Sequence, residues 1–453
     1  MIDPSLPPKP ASRAERVSLW QYMRLFRRDI LSAQPERLYR AWMAEFKTPF
    51  FRSYLANDPT LIQRVLRDRP EDFPKSDRVG EGLRPLLGNS VFLTNGDTWA
   101  RQRRIIDPAF ERGRLRDSFA AIAAAAEATA ARLEKQADQV LDIEAEASHA
   151  AADVIFRTLF SLPISDTIAA RTYAAFQAYQ RSQPILNVAA FLPLPHWVPR
   201  GFRRTTRASA AEIRELITRL VQDRQTMIDA GQAPDDLATK IMTTPDPETG
   251  ALFEAAEMVD QVAIFFLAGH ETSASSLAWA LYLLALYPEW QEKIAAEAGD
   301  GGPEDISGMS RLRVTRDVFR ETLRLYPPVP MMVRQSIRTE VFRGRTVRHG
   351  AQIVLSPWHL HRHSRLWDHP DNFDPARWQT PEGQASARTA YMPFSAGPRV
   401  CPGAGFAMLE GVLMLATILR HLKVELAEDT SPVPVAHLTV RSAGGIRLRI
   451  VRR

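Results

Sequence analysis

The sequence predicts a mostly α protein with a minor β region, on three observations. Residues 118–137 form an alanine-rich run of strong helix formers that includes Glu127, Arg132, Glu134 and Lys135. Glu254 to Tyr287 contains no proline and is apolar on several faces, the pattern of a long buried helix. Short β-like runs (Val347 to Val354, Leu438 to Val440, Ile446 to Val451) occur only in the last third, beside dense proline between 327 and 402.

Taken in order, residues 1–17 open with four prolines in the first ten positions and read as an extended, poorly hydrogen-bonded lead-in. Ser18 to Leu31 is amphipathic but carries Arg24, Arg27 and Arg28, which suits a surface helix and not an anchor. Gly231 to Gly250 and Gly299 to Gly308 are rich in Gly, Pro and Asp and read as loops between helices. Arg313 to Leu325 is helical and is ended by Pro327-Pro328. There is no internal repeat, and the expectation is a single domain over 1–453.

Composition narrows the function. At 45% hydrophobic and 24% charged, the chain has the mix of a globular protein with a sizeable core. A net charge of +6 over 453 residues is too mild to indicate nucleic-acid binding. One cysteine excludes an intrachain disulfide and fits a reducing compartment. No stretch approaches the length a membrane span needs, and the start has neither the basic nor the apolar region of a secretory signal. The expectation is a cytoplasmic protein with no membrane anchor.

The cysteine, Cys401, follows a Gly397-Pro398 turn and precedes Pro402, which suits the first position of the apolar helix beyond it. A helix start offers unpaired N–H groups and a positive dipole end to a thiolate. Gly403 and Gly405 remove side chains where a flat cofactor would approach the backbone. The bland alternative is a buried cysteine beside a glycine turn. The surrounding pattern decides between them: Phe394-x-x-Gly397-x-Arg399-x-Cys401-x-Gly403 resembles the haem-binding signature of the cytochrome P450 family.

That resemblance implies the cytochrome P450 fold, with haem b held between the long central helix and the cysteine loop. Cys401 would be the axial thiolate ligand of the iron, donating electron density that favours O–O cleavage. Arg399 would pair with a haem propionate.

Further segments resemble the family in the same order along the chain. Trp99-Ala100-Arg101-Gln102-Arg103 is similar to its W-x-x-x-R helix, in which Trp99 and Arg103 would reach a propionate; Arg334 sits where another propionate ligand is often supplied. Glu321-Thr322-Leu323-Arg324 is similar to the E-x-x-R motif, with Arg377 as third partner in a buried network that fixes the cysteine loop. Within the long helix, Ala268-Gly269-His270-Glu271-Thr272 breaks local rules: an interior glycine costs about 1 kcal/mol, and a carboxylate in an apolar run needs a partner. It resembles the segment that bulges over the haem, in which Thr272 and Glu271 would help bind and protonate dioxygen.

The resemblance therefore implies a monooxygenase that inserts one oxygen atom from O2 into a lipophilic organic substrate. Two electrons would come from a separate ferredoxin (or flavodoxin) with its NAD(P)H-dependent reductase, because so little chain follows Cys401. The expected pocket lining runs over Ser76 to Leu93, Phe176 to Leu194, Phe265-Phe266, Met331-Met332 and Leu438-Thr439. Its apolar members include Leu83, Leu86, Leu87, Val91, Phe92, Ile185, Leu186, Val188, Phe191 and Leu192.

The alternatives are a peroxide-driven haem-thiolate hydroxylase or isomerase and, in another class, a non-catalytic haem-binding sensor. Two further features have competing readings. His359, His361 and His363 would line one side of a strand if extended, as a metal cluster would, yet they also fall in a segment matching the family. The arginines at 101, 103, 104, 112, 114 and 116 are either a solvated basic face or a docking patch for an acidic electron donor.

Overall fold

The computed structural model describes residues 6–47, 52–182, 204–299, 301–428 and 431–453. Its longer helices are α1 (Leu19–Arg28), α2 (Gly96–Ile106), α3 (Arg112–Glu134), α4 (Ile143–Phe160), α5 (Thr167–Ser182) and α6 (Arg204–Asp229). They continue with α7 (Leu237–Thr243), α8 (Ala255–Leu286), α9 (Pro288–Ala298), α10 (Arg313–Leu325), α11 (Pro381–Ala390) and α12 (Ala404–His421). The mostly α expectation holds, and α8 and α10 fall where the apolar periodicity and the flanking prolines place them.

Local chemistry sets these limits. A reciprocal pair of bonds between Glu254 and Glu257 caps the start of α8. Pro288, which cannot continue a helix but suits the first turn of one, closes α8 and opens α9. The glycine inside α8 has a packing cause: a Cβ on Gly269 would lie 2.4 Å from Ile155 Cδ1, so glycine lets α4 lie close against α8. The main core gathers α3, α4, α8, α10 and α12, and a second cluster around Tyr54, Phe73, Phe342, Trp367 and Trp378 lies by the largest sheet.

That sheet has the order β1-β2-β7-β4, built from β1 (Met43–Lys47), β2 (Arg52–Ala56), β4 (Met332–Gln335) and β7 (Gln352–Leu355), with β2 and β7 parallel. A three-stranded sheet joins β3 (Val140–Asp142), β11 (Arg447–Arg452) and β8 (Leu422–Leu426). Two hairpins remain, β5 (Glu340–Phe342) with β6 (Arg345–Val347), and β9 (Pro434–Ala436) with β10 (Val440–Ser442).

Several expectations need correction. Strands β1, β2 and β3 precede the last third, so the β component is not purely late. The run Val347 to Val354 is divided between β6 and β7, and Leu438 with Thr439 forms the turn into β10. The loop Gly231 to Gly250 contains α7. The described part of the lead-in is tied down: Tyr326 Oη donates to Pro8 O at 2.8 Å, and Lys9 Nζ lies 2.7 Å from Asp371. By length and composition α12 could span a membrane, although no such stretch was expected, but most of it is buried inside the protein.

The expected charge network is present. Arg324 Nε and Nη2 donate to the two oxygens of Glu321 at 2.9 and 2.8 Å, and Arg377 Nε donates to Glu321 Oε1 at 2.9 Å. The Asp374 N–H adds a bond at 3.0 Å. Arg324 reaches on to the carbonyls of His361, Pro370 and Asn372, which ties α10 to the segment leading to the cysteine loop. Burial opposes charge on Glu321, yet the two guanidiniums hold its carboxyl below the ordinary range. Glu321→Ala strands two buried cations, and the expected cost is about 3–5 kcal/mol. An unchanged urea midpoint at constant m-value would refute that role.

Candidate active site

The cysteine loop is built by backbone contacts. Gly397 has φ +70°, and a Cβ there would fall 1.9 Å from the Leu66 carbonyl oxygen, so this turn requires glycine. The Cys401 N–H donates to Phe394 O at 2.9 Å and closes the loop. Helix α12 starts later than expected: Gly403 is its N-cap, and Pro402 lies in the turn before it instead of in the first helical position. Over Gly403 the space is open, since an added Cβ would meet only Cys401 Sγ at 3.9 Å. The Cys401 sulfur faces a cavity while protein surrounds it. Burial pushes the thiol up, against the opposing pull of the Gly403 N–H and Arg103. The helix start therefore does not by itself make a thiolate; a metal ion in place of the proton would.

Cations converge at one end of the cavity. The Trp99 ring on α2 has the Arg399 guanidinium 5.0 Å from its centre, Lys75 Nζ at 5.7 Å and the Arg103 guanidinium at 5.9 Å. Arg334 on β4 joins them across a β-bridge to Lys75. Some of these donors are spoken for: Arg103 Nη1 donates to Val400 O and Arg399 Nη1 to Pro70 O, both at 2.7 Å, and Arg103 Nε lies 2.6 Å from Asp107. Arg334 Nε and Arg399 Nε and Nη2 are buried with no hydrogen bond; the exposed Glu71 stands 3.6 Å from Arg399. Burial first, then Arg334, Arg399 and Arg103, pushes Lys75 down to about 6. Burial, then Arg399, lowers Arg334 to about 10.

Buried donors without acid partners are costly, and so many together call for a polyanion. The two propionates of a haem meet that need, and the bare sulfur with the open cradle at Gly403 suits the iron. Lys75 was missed in the sequence because it belongs to no motif; only its pairing with Arg334 reveals it.

The cavity measures about 1860 Å³ and joins this cluster and Cys401 to the Glu271–Thr272 turn of α8. Helix α8 runs through that turn as continuous α-helix and does not bulge, and the Thr272 hydroxyl donates to Ala268 O at 2.5 Å. Glu271 is buried; its Oε2 accepts from Thr439 Oγ1 at 3.2 Å, and burial raises its proton affinity. Sequence reasoning also missed Glu410 on α12, which lines the cavity, accepts from Ser273 Oγ at 2.6 Å and is pushed by burial up to about 8.

Much of the expected lining is in place, including Leu83, Val91, Phe92, Phe265, Met331 and Met332. Leu86 and Leu87 instead fill the core, and Phe266 is buried against Phe156, Phe160 and Phe176. Ile185, Leu186, Val188, Phe191 and Leu192 lie outside the described residues.

The histidines are structural. His361 Nε2 accepts from the Met392 N–H at 2.9 Å, His359 meets Ser356 Oγ at 2.8 Å, and His363 stacks on Trp42. They lie in a short helix and turn and not in a strand, and no metal-binding group occurs among the described residues. Of the six arginines, Arg101 pairs with Glu257, Arg104 pairs with Asp246, and Arg103 belongs to the cation cluster. Arg114 and Arg116 are exposed on the first turn of α3, beside Leu115, which limits the space over Gly405 on the cysteine side. The Arg112 side chain is outside the described residues.

Fold and site together define a haem-thiolate protein. The chain belongs to the cytochrome P450 family, whose model matches residues 39–448. It is 33% identical to a cyclooctat-9-en-7-ol 5-monooxygenase of Streptomyces melanosporofaciens, over 84% of this chain and 81% of that one. It is 32% identical to a pentalenene oxygenase of Streptomyces avermitilis, over 88% of each. Among solved structures, the cytochrome P450DA heme domain superposes with a TM-score of 0.82 at 25% identity, covering 99% of this chain and 98% of that one. The protein is thus a cytochrome P450 monooxygenase, with haem b as cofactor and Cys401 as its axial thiolate.

The Lys75 environment makes a pH prediction for the haem-free chain. Folding lowers the lysine from its ordinary range near 10.4 to about 6, so the unfolded state binds more protons between those values. Stability should therefore rise with pH across that window. Urea unfolding at successive pH values should show this slope reduced in Lys75→Met; an identical slope in the variant would contradict it.

Proposed function

We propose that the protein inserts one oxygen atom from O2 into a lipophilic substrate, with two electrons from a separate ferredoxin or flavodoxin and its NAD(P)H-dependent reductase. One observation carries the reading: a single cavity joins Cys401, the cation cluster around Trp99 and the Glu271–Thr272 turn. When bound, the haem supplies the activation of dioxygen and the transfer of its oxygen atom. Arg399, Arg103, Arg334 and Trp99, with Lys75, would hold the haem propionates. Phe394 and Gly403 shape the cysteine loop. Thr272 turns its hydroxyl from the Ala268 carbonyl to a group in the cavity, and Glu271, whose proton affinity burial raises, relays protons toward it.

The apolar lining favours a lipophilic guest. The relatives named for cyclooctat-9-en-7-ol and pentalenene support the same class. Arg114 and Arg116, on the cysteine side, suit an acidic donor protein. An intact Glu271–Thr272 pair speaks against a peroxide-driven enzyme or a sensor, neither of which needs it.

Two experiments test this reading. Reconstitution with NADH, a surrogate ferredoxin pair and a panel of lipophilic compounds should yield product only with reductant; product with peroxide alone, or none from any compound, would overturn it. Thr272→Ala should keep its haem but lower product formed per reductant consumed by roughly tenfold or more, with peroxide released instead. Unchanged coupling would remove Thr272 from the mechanism.

A further inference from the structure

Residues 368–372 carry the Glu321 network out to the surface. Asp368, His369 and Asn372 are exposed, and His369 holds φ +42°, a left-handed conformation that a non-glycine residue adopts at a cost. The segment forms neither helix nor strand, so its shape depends on what grips it. From the inside the grip is cationic. Arg377 Nη1 and Nη2 donate to the carbonyls of Asp368 and His369 at 2.9 and 3.3 Å. Arg324 Nη1 and Nη2 donate to those of Pro370 and Asn372 at 2.6 and 2.8 Å.

Arg362 adds a third buried guanidinium, 5.5 Å from the centre of the Tyr326 ring and 4.8 Å from that of Trp358. Among the described residues the acid paired with it is Asp371, whose Oδ1 accepts from Nη1 at 2.8 Å. The other oxygen of Asp371 accepts from Lys9 Nζ at 2.7 Å. Burial opposes charge on Asp371, yet Arg362 and Lys9 hold its carboxyl below the ordinary range.

Lys9 belongs to a strap that crosses this edge of the protein. Its side chain is only 33% exposed, and its Nζ also lies 3.6 Å from Glu36 and 4.9 Å from the centre of the Tyr39 ring. On one side of it, Pro8 O accepts from the hydroxyl of Tyr326, the residue that ends α10. On the other, the Arg13 N–H donates to Gln34 O at 3.1 Å and Arg13 Nε to Ala33 O at 2.7 Å. A lysine placed only for solubility would extend into water; this one bridges two acids and an aromatic ring.

We propose that Lys9 is a positioning residue for the cysteine loop: by holding Asp371 from outside, the strap of residues 8–13 closes a second charge network beside that of Glu321 and keeps Cys401 in the geometry that ligates iron. Direct bonds connect the two ends. Asp371 stands between the two carbonyls that Arg324 holds, and Arg324 also holds His361 O at 2.9 Å. The His361 ring accepts from the Met392 N–H, and Phe394, two residues on, accepts the bond that closes the cysteine loop. This role goes beyond oxygen insertion, since it concerns iron ligation whatever reaction the haem performs.

The test compares Lys9→Met, Lys9→Arg and Tyr326→Phe in the full-length ferric holoenzyme. Lys240→Met serves as control, because it removes a 2.6 Å ion pair to Asp117 that joins α7 to α3 and touches none of these groups. Two readouts follow ligation and not turnover. One is the rate of haem transfer to excess haem-free myoglobin; the other is the fraction of the reduced carbon monoxide complex that keeps the red-shifted absorption of a thiolate ligand. Lys9→Met and Tyr326→Phe should each speed haem transfer by roughly fivefold, the effect of losing one such hydrogen bond, and lower the red-shifted fraction. Lys9→Arg, which keeps the charge and a donor, should stay near the parent. Lys240→Met should lower the urea midpoint without moving either readout. Parent-like transfer and spectra in Lys9→Met overturn the proposal. An equal change in Lys240→Met also overturns it, by reducing the effect to general stability.

Discussion

Buried charge has to be answered by opposite charge, by a proton or by a ligand, and this chain uses all three answers around one cavity. Glu321 is answered inside the protein by Arg324 and Arg377, so that network is complete and its work is structural. Glu410, with Ser273 as its partner among the described residues, is answered by a proton, since burial holds it at about 8. Arg334 and Arg399 have buried donors without a hydrogen bond, and Lys75 beside them donates to the carbonyls of Val91 and Thr94; a dianionic cofactor would complete this cluster. The difference between the first case and the last separates a structural charge cluster from a binding one, and it is visible in the hydrogen bonds alone.

This arrangement explains why the site draws on segments far apart in the chain. Lys75, Trp99, Arg334 and Arg399 come from a loop, a helix, a strand and the cysteine turn, and no two lie within twenty residues of each other. Like charges gathered this way repel, so the scaffold must hold them in place until the ligand is bound. The parallel pairing of β2 with β7 fixes β4, and β4 fixes Arg334 beside Lys75. The Glu321 network performs the same service on the other flank, through the carbonyls that Arg324 gathers ahead of the loop.

How much of this was legible beforehand depended on whether a residue's role is local. Cys401, Arg399 and Gly397 lie in a contiguous signature that is recognisable from neighbours in sequence, although a contact that requires it, the Leu66 carbonyl against Gly397, comes from far along the chain. Arg313 to Leu325 was ended by Pro327-Pro328 in the sequence and came out at those limits. Lys75 and Glu410 could not be read, because each acquires its character from residues more than a hundred positions away or from burial that no local pattern announces. Phe266 failed for the opposite reason: its neighbour Phe265 faces the cavity, and one step along a helix turns a side chain by about 100°, here into the core.

The rule-breaking stretch of α8 shows how such a signal divides. Gly269 is there because Ile155 leaves no room for a Cβ, a packing cause that has nothing to do with chemistry. His270 is a neutral, hydrogen-bonded core residue. Thr272 spends its hydroxyl on the preceding turn, as threonines in helices commonly do. Only Glu271 resists a purely structural account, since among the described residues its hydrogen-bond donor is a hydroxyl at 3.2 Å and the nearby cation, Arg441 Nη2, stops at 3.9 Å. A carboxylate meant for stability would have been given the close, bidentate partner that Glu321 has. Glu271 has been left with an acidity that its surroundings can shift, the property that the proton-carrying role proposed for it requires.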